Sequence, residues 1–310
     1  MKLYCIRMLM IPLLLTVIRS GAQGYYYYDD RHYEGPVLAE LGVKGGVMNA
    51  LTDIGGQSGA GKNGLKDLNL AFSRPCFSIY ALVLYQNTIG LRIHYAAGQV
   101  TAADSILKKD RISTHGRYER NLSFRSPVWE LGLILEIHPL SIFNNNRTDK
   151  NPSRFSPYLL AGIGFFSFNP QAEWEGRWFP LQPLHTEGQG FSMYPDRKPY
   201  SLRQMNWQTG AGLKYEINAW LNGRFEIMHR FLKTDYLDDV SRDSYVQPAL
   251  FNRELPPALA GLARALADRR AEVDPGHITN LSYQRGNPAN KDAYFTAEIG
   301  VGIVLGRSRR

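Results

Sequence analysis

At 310 residues and a formal charge of +8, the chain is long enough for a sizeable core and only mildly basic. Without residues 1–22, which carry Lys2, Arg7 and Arg19, the charge falls to +5, and a balance of that size gives no nucleic-acid footprint. Of two cysteines only Cys76 lies beyond that segment, which excludes an intramolecular disulfide scaffold.

The first 22 residues have the anatomy of a secretory signal peptide. Lys2 and Arg7 form a basic start, residues 8–18 an apolar run, and Ser20-Gly21-Ala22 a small-residue cleavage site. The run is too short for a membrane helix, which needs about 20 apolar residues. Cys5 precedes it, so it is not a lipoprotein acylation cysteine. Residues 23–35 are polar and aromatic without a period and read as an N-terminal extension, a solvated linker. One domain follows over 36–310. It contains no later apolar stretch of membrane-helix length, so any insertion must be as a barrel.

Glycine at 29 residues and 12% aromatics suit a β-rich chain, and alternation of side chains bears this out from strand to strand. In the first strand, 37–49, Glu40, Gly42, Lys44 and Gly46 alternate with Leu41, Val43, Gly45 and Val47. A glycine-rich loop, 51–75, leads to a second strand, 77–85, apolar on both faces and unreadable in orientation. Only Gln86-Asn87 separates it from the third, 88–101, where Arg92 and His94 oppose Leu91 and Ile93; a two-residue connection demands an antiparallel hairpin. A polar loop, 103–121, precedes the fourth strand, 126–139, with Glu130, Gly132, Glu136 and His138 opposite Trp129, Leu131, Leu133, Leu135 and Ile137. The fifth, 156–169, is apolar and glycine-broken, and a long loop, 170–203, follows it. The sixth, 206–218, sets Gln208, Gly210, Gly212, Lys214 and Glu216 against Thr209, Ala211, Leu213, Tyr215 and Ile217. A tight turn leads into the seventh, with Asn222, Arg224, Glu226, Met228 and Arg230 on one face; His229 falls on the apolar face, as a neutral histidine or at a bulge. The last loop, 237–291, is elaborated over 250–285, and Pro256-Pro257 starts a helix predicted through Arg270. The eighth strand, 293–305, has Thr296, Glu298, Gly300 and Gly302 opposite Phe295, Ala297, Ile299, Val301 and Ile303.

Connections alternate long and short, so with both termini at one end all four long loops fall at the other. That asymmetry predicts an all-β, eight-stranded antiparallel transmembrane barrel with short periplasmic turns, long extracellular loops and one short helix in the last loop. A soluble lipocalin-like barrel shows the same alternation with opposite polarity. Charge decides which face is inside. The polar faces carry Glu40, Glu130, Glu136, Glu216, Glu226 and Glu298 against Lys44, Arg92, Lys214, Arg224 and Arg230. Six against five suits a packed lumen network, because an unpaired buried charge costs several kcal/mol. Small neighbours (Gly42, Gly90, Gly132, Gly210, Gly212, Gly300) leave room for it, and eight strands enclose only enough space for side chains. Tyr85, Tyr95, Trp129, Tyr158, Trp207, Trp220, Tyr236 and Phe295 are candidates for interfacial girdles.

No catalytic, cofactor or metal residues are readable. Residues 56–63, GQSGAGKN, fall one position short of a phosphate-binding loop, with Asn63 where a hydroxyl is required, and read as a surface loop rather than a nucleotide site. Asp235, Asp238, Asp239 and Asp243 cluster without EF-hand spacing, as a solvated or arginine-paired loop or a Ca²⁺ ligand set. Ser78 and His94 are a conceivable hydrolase pair on neighbouring strands.

Several runs carry a resemblance: ELGVKGGVMNALTDIGG (40–56), RNLSFRSPVWELG (120–132), SPYLLAGIGFFSFNPQA (156–172), TEGQG (186–190), TDYLDDVS (234–241) and RGNP (285–288). In order along the mature chain, they resemble the PorG-like family of Bacteroidota outer-membrane β-barrels, components of the type IX secretion machinery. The resemblance implies an outer-membrane location in a Gram-negative bacterium and association with outer-membrane lipid and periplasmic ring proteins. It implies no catalytic residues. The helix-bearing insertion at 256–270 and the GRSRR terminus depart from the pattern. A scaffold or anchor in protein secretion is the leading expectation. The alternatives are an adhesive barrel with ligand-binding loops and, after it, a lipid-modifying barrel enzyme.

Overall fold

The computed structural model describes residues 26–29, 32–55, 70–109, 111–143 and 154–309. The signal peptide expected over 1–22 and the glycine-rich 56–63 lie outside them. The strands are β1 (Tyr26–Asp29), β2 (His32–Leu51), β3 (Arg74–Tyr85), β4 (Ile89–Ala103), β5 (Ser123–Ile137), β6 (Phe155–Phe168), β7 (Gln171–Trp174), β8 (Arg177–Pro180), β9 (Arg203–Asn218), β10 (Leu221–Leu232) and β11 (Ala293–Arg309). Eight of them close into an antiparallel barrel. Neighbours run β4-β3-β2-β11-β10-β9-β6-β5, and β5 returns to β4 from Ser123↔Ala103 to Ile137↔Ile89. The closed ring leaves no unpaired edge along the barrel wall.

Alternation aims the charges inward. In β5 the burial alternates from Phe124 to Glu136, with Trp129, Leu131, Leu133 and Leu135 exposed. The same outward belt continues through Leu41 and Val43, Ile79 and Val83, Leu91 and Ile93, Phe225 and Ile227, and Ile299 and Val301, all exposed. A soluble protein rarely leaves so continuous an apolar surface uncovered, whereas lipid matches it. Among the described residues no helix is long and apolar enough to cross a membrane, and this chain crosses with strands. The barrel strands, 12 to 20 residues each, exceed the roughly 9–11 that span a bilayer, so their ends stand clear of it. The second strand, unreadable from sequence, buries Cys76, Ser78, Tyr80, Leu82 and Leu84 and exposes Phe77, Ile79, Val83 and Tyr85.

The turn at Gln86-Asn87 puts both residues at positive φ (50° and 53°), the twist a tight hairpin needs. At the same end the first barrel strand begins at His32, and Tyr26–Asp29 fold back on it, with Arg307–Arg309 on its other side. Residues 26–29 and 32–35 of the expected linker are therefore ladder, because β11 runs past Leu305 and offers them a pairing partner.

The long loops are structured beyond what periodicity shows. The polar loop after β4 contains a helix, α1 (Arg111–Arg120). The loop after β6 contains the β7–β8 hairpin, turning at Glu175-Gly176 with φ of 50° and 75°. A short helix, α2 (Pro139–Phe143), follows β5. The last loop holds two helices, α3 (Pro248–Glu254) and α4 (Pro257–Ala267), rather than one. Pro256 separates them: the residue before a proline is driven from the helical region, and Leu255 sits extended at φ −111°, ψ 152°. Their apolar faces join Leu181, Leu184, Phe191 and Val246 in a core outside the barrel. The loops therefore form a folded cap.

Candidate functional site

All eleven lumen candidates are buried. The central ones alternate in sign along a continuous chain. Glu40 accepts from Arg224 Nε at 2.6 Å, and Arg224 Nη1 reaches Glu136 at 2.8 Å. Glu136 also receives Arg92, which donates to Glu226 at 2.7 Å. Glu226 binds Lys44 at 2.5 Å, and Lys44 lies 3.7 Å from Glu298. Nearer the long loops, Arg230 meets Glu130 at 3.1 Å. Nearer the short turns, Lys214 meets Glu216 at 2.9 Å. A sixth cation answers the six carboxylates: buried Arg307 reaches Glu216 at 3.1 Å. It was not visible in sequence because it lies beyond the expected end of the last strand at 305.

The network uses residues that charge alternation could not reveal. Arg92 and Arg224 lie between the rings of Tyr80 and Tyr158, at 4.8 and 5.5 Å from the first and 5.8 and 5.0 Å from the second. Tyr80 donates to Glu40 at 2.5 Å and Tyr158 to Glu226 at 2.6 Å. Each ring lies across a glycine: a Cβ on Gly42 would stand 2.3 Å from the Tyr80 ring, and one on Gly212 2.4 Å from that of Tyr158. Tyr158 is thus a lumen residue, not part of an aromatic girdle; β6 carries no charge in sequence to mark its inward face. Tyr294 and Asn206 donate to Glu130 at 2.6 and 2.7 Å. Tyr85, Tyr95, Trp129, Trp207 and Trp220 are exposed, and Phe295, although outward in phase, is covered. Outward-facing His229 sits in a regular ladder with its ring 4.3 Å from that of Phe231, so no bulge accommodates it.

Above the charges the lumen turns apolar. Met48, Cys76, Val100, Val128, Phe166 and Leu232 pack together, and rings stack outward from Phe166 to Phe168 (5.4 Å), Tyr200 (6.1 Å) and Tyr236 (4.6 Å). Tyr236 is therefore part of this column and not of a girdle.

At the column's top the four long loops are clamped. Arg285 donates to Glu187 at 2.6 Å and to the carbonyl of Asp239 at 3.1 Å. Arg120 grips both oxygens of Asp104 at 2.8 Å and donates to the carbonyls of Asp53 and Arg285. Asp238 accepts from the Ile54 amide at 3.0 Å, Asp292 from that of Leu237 at 2.8 Å, and Glu187 from that of Ser241 at 3.0 Å. Tyr200 and Thr186 donate to Asp239. Five of the six sequence runs 40–56, 120–132, 156–172, 186–190, 234–241 and 285–288 send residues into this clamp, all but 156–172. Carboxylates exceed cations here. Burial, with Arg285 opposing it, raises the Asp239 carboxyl to about 7, and burial likewise raises Asp235 to about 7. Burial and the neighbouring Asp53 hold Asp238 well above its ordinary value; burial and Asp238 do the same for Asp292.

The aspartates are thus mostly occupied by amides and hydroxyls, and no described group of His, Cys, Asp or Glu is arranged to hold a metal ion. Ser78 donates to Glu298 at 2.8 Å while His94 meets Glu130 at 3.0 Å, so the hydrolase pair does not form; both are spent inside the lumen.

Sealed lumen, apolar belt and closed ladder define a transmembrane β-barrel. No protein-family model matches the chain, and no curated protein matches it in sequence. Several solved structures align with the chain at low identity. The attachment invasion locus protein Ail of Yersinia pestis aligns at 8% identity and TM-score 0.37 over 87% of this chain and 99% of its own. Neisserial surface protein A aligns at 8% and 0.35 over 87% and 97%, and the N-terminal β-barrel domain of Pseudomonas aeruginosa OprF at 8% and 0.31 over 87% and 98%. The likeness is one of fold alone.

Proposed function

We propose that this chain is a non-enzymatic outer-membrane anchor serving a protein-secretion assembly of type IX character. The observation that carries the anchor reading is the filled lumen: its carboxylates are matched by cations, and aromatic side chains close it above. Among the described residues such a lumen leaves no open path for a solute, and its one thiol, Cys76, is buried. It holds structures in place on both sides of a membrane. The secretion part rests on the six family-like runs, most of which build the clamp that keeps the loops folded. A periplasmic partner would meet the short-turn end, at 141–154 or at the paired segments 26–29 and 32–35. Crosslinking in native membranes, followed by identification of the captured proteins, tests this. Recovery of a ring-forming periplasmic lipoprotein is expected. Intact secretion of type IX cargo after deletion of the gene would sink the secretion role and leave the anchor.

One observation favours a second reading, an adhesive barrel. The cap has its own core and exposes Ile278, Leu281 and Tyr283. Protease shaving of intact cells that abolishes surface binding while secretion continues would select it.

A further inference from the structure

The two rims of the apolar belt differ in charge. At the short-turn end the outward strand positions Tyr85, Tyr215, Ile217, Trp220 and Leu305 are exposed and uncharged, and exposed Arg154 lies just before β6, off that outward face. At the long-loop end, four neighbouring strands, β10, β9, β6 and β5, end outward in Lys233 (just past β10), Arg203, Ser167 and Arg125. Arg203 pairs across the ladder with Ser167, and Lys233 continues the outward face of Phe231. The Arg125 guanidinium lies 3.9 Å over the Trp178 ring and donates once, to Gln171 at 3.0 Å, keeping other N–H groups available. No outward position on these four strands is acidic; acids resume beyond them, at Glu173 and Glu175 on the β7–β8 hairpin and at Glu272, which is paired to Arg269 beside Ser123. Directly beneath the cations are exposed Phe231, Met205, Trp207 and Trp129.

We infer that this arc, Lys233, Arg203 and Arg125 above an apolar wall, binds the anionic phosphate-bearing headgroup of a membrane lipid whose chains lie on that wall. Cations without carboxylate partners at the level where an apolar belt ends meet lipid headgroups rather than bulk water. Three cations on adjoining strands bring charge to bear on one or two phosphates, and each cation near an anionic lipid surface raises association about fivefold at low salt. Arginine adds bidentate donation to phosphate oxygens. The arc lies on one side of the barrel, so it selects a lipid at one place in the surrounding shell. It holds or fails independently of any secretion partner, because it depends only on the barrel's spanning a membrane.

The test uses the full chain folded into phosphatidylcholine vesicles containing either chain-brominated phosphatidylglycerol or chain-brominated phosphatidylcholine at equal mole fraction. Trp207 and Trp129 report the local bromine by quenching. Severalfold stronger quenching by the anionic lipid is expected. The excess should vanish in the combined Lys233→Gln, Arg203→Gln, Arg125→Gln variant and persist in Arg154→Gln, at the opposite rim. Equal quenching by the two lipids in the unaltered protein, a comparison that needs no variant, overturns the inference. So does an excess that survives the triple substitution in protein shown folded by heat-modifiable mobility. An excess abolished by inorganic phosphate, but not by chloride at matched ionic strength, overturns the lipid in favour of a free-anion site.

Discussion

The lumen and the clamp are both buried polar networks, and they solve the problem of buried charge in opposite ways. In the lumen six carboxylates meet six cations, with Tyr80 and Tyr158 filling remaining acceptor capacity. In the clamp Asp53, Asp104, Glu187, Asp235, Asp238, Asp239 and Asp292 meet chiefly Arg120 and Arg285, and the deficit falls on backbone amides and protons. Paired charges fix a unique packing and resist changes in medium. Carboxylates neutralised by burial instead make a structure answer to pH. One network suits a barrel that must close once, and the other suits loops.

Removing the hub of the lumen should show the largest effect. Glu226→Ala takes one carboxylate partner each from Lys44 and Arg92, leaving them Glu298 and Glu136, and takes the acceptor from the Tyr158 hydroxyl; breaking a buried pair costs about 3–5 kcal/mol. Urea unfolding in detergent, followed by heat-modifiable gel mobility, should record that loss; a change below 1 kcal/mol would mean water fills the lumen. Arg285→Ala should act on the other network alone. It leaves Glu187 without its charged partner, for a local cost of about 2–3 kcal/mol, so limited proteolysis should cut 234–242 and 285–292 while barrel unfolding stays unchanged.

A pH series sharpens the contrast. Asp235 and Asp239 have folded-state values raised from 3.8 to about 7, so the stability they lend the cap is complete below their ordinary value and is lost as pH rises through 7. Hydrogen exchange of the clamp amides Ile54, Leu237 and Ser241 should accelerate about a hundredfold for each aspartate that the opening exposes, beyond the intrinsic base-catalysed trend, between about pH 5 and about pH 8. The barrel ladder should follow the intrinsic trend alone. Least of all, His229→Leu should change stability by no more than about 1 kcal/mol, in the stabilising direction, since the ring faces lipid beside Phe231 and has no ladder role. A larger loss would place His229 in an interface.

Much of the barrel was legible because its signal is local. Period-2 alternation in 126–137 and 222–231 fixed which residues share a face, and near-balance of charge on that face fixed it as the inside. The same logic was silent wherever one face carried no charge, as in β3 and β6, so Tyr80 and Tyr158 were invisible as lumen residues. Of the cap only the helix starting at Pro256-Pro257 was legible, found as α4; the rest was hidden for a different reason. Its helices and hairpin are short, and α1 has no apolar stripe; they are held by contacts between loops far apart in sequence, such as Arg120 with Asp104 and Arg285 with Glu187. An aspartate cluster at 235–243 looks the same in sequence whether solvated, metal-bound or buried against amides.

By itself, then, the sequence determined the strand pattern, the short-and-long rhythm of connections and the sign of the lumen, because each follows from neighbours along one strand. Only the tertiary structure decided which carboxylate meets which guanidinium, that Arg307 completes the balance and that dispersed runs converge into one clamp. Those depend on ring closure, which brings residues from opposite ends of the chain within 3 Å of each other, as Lys44 and Glu226 are.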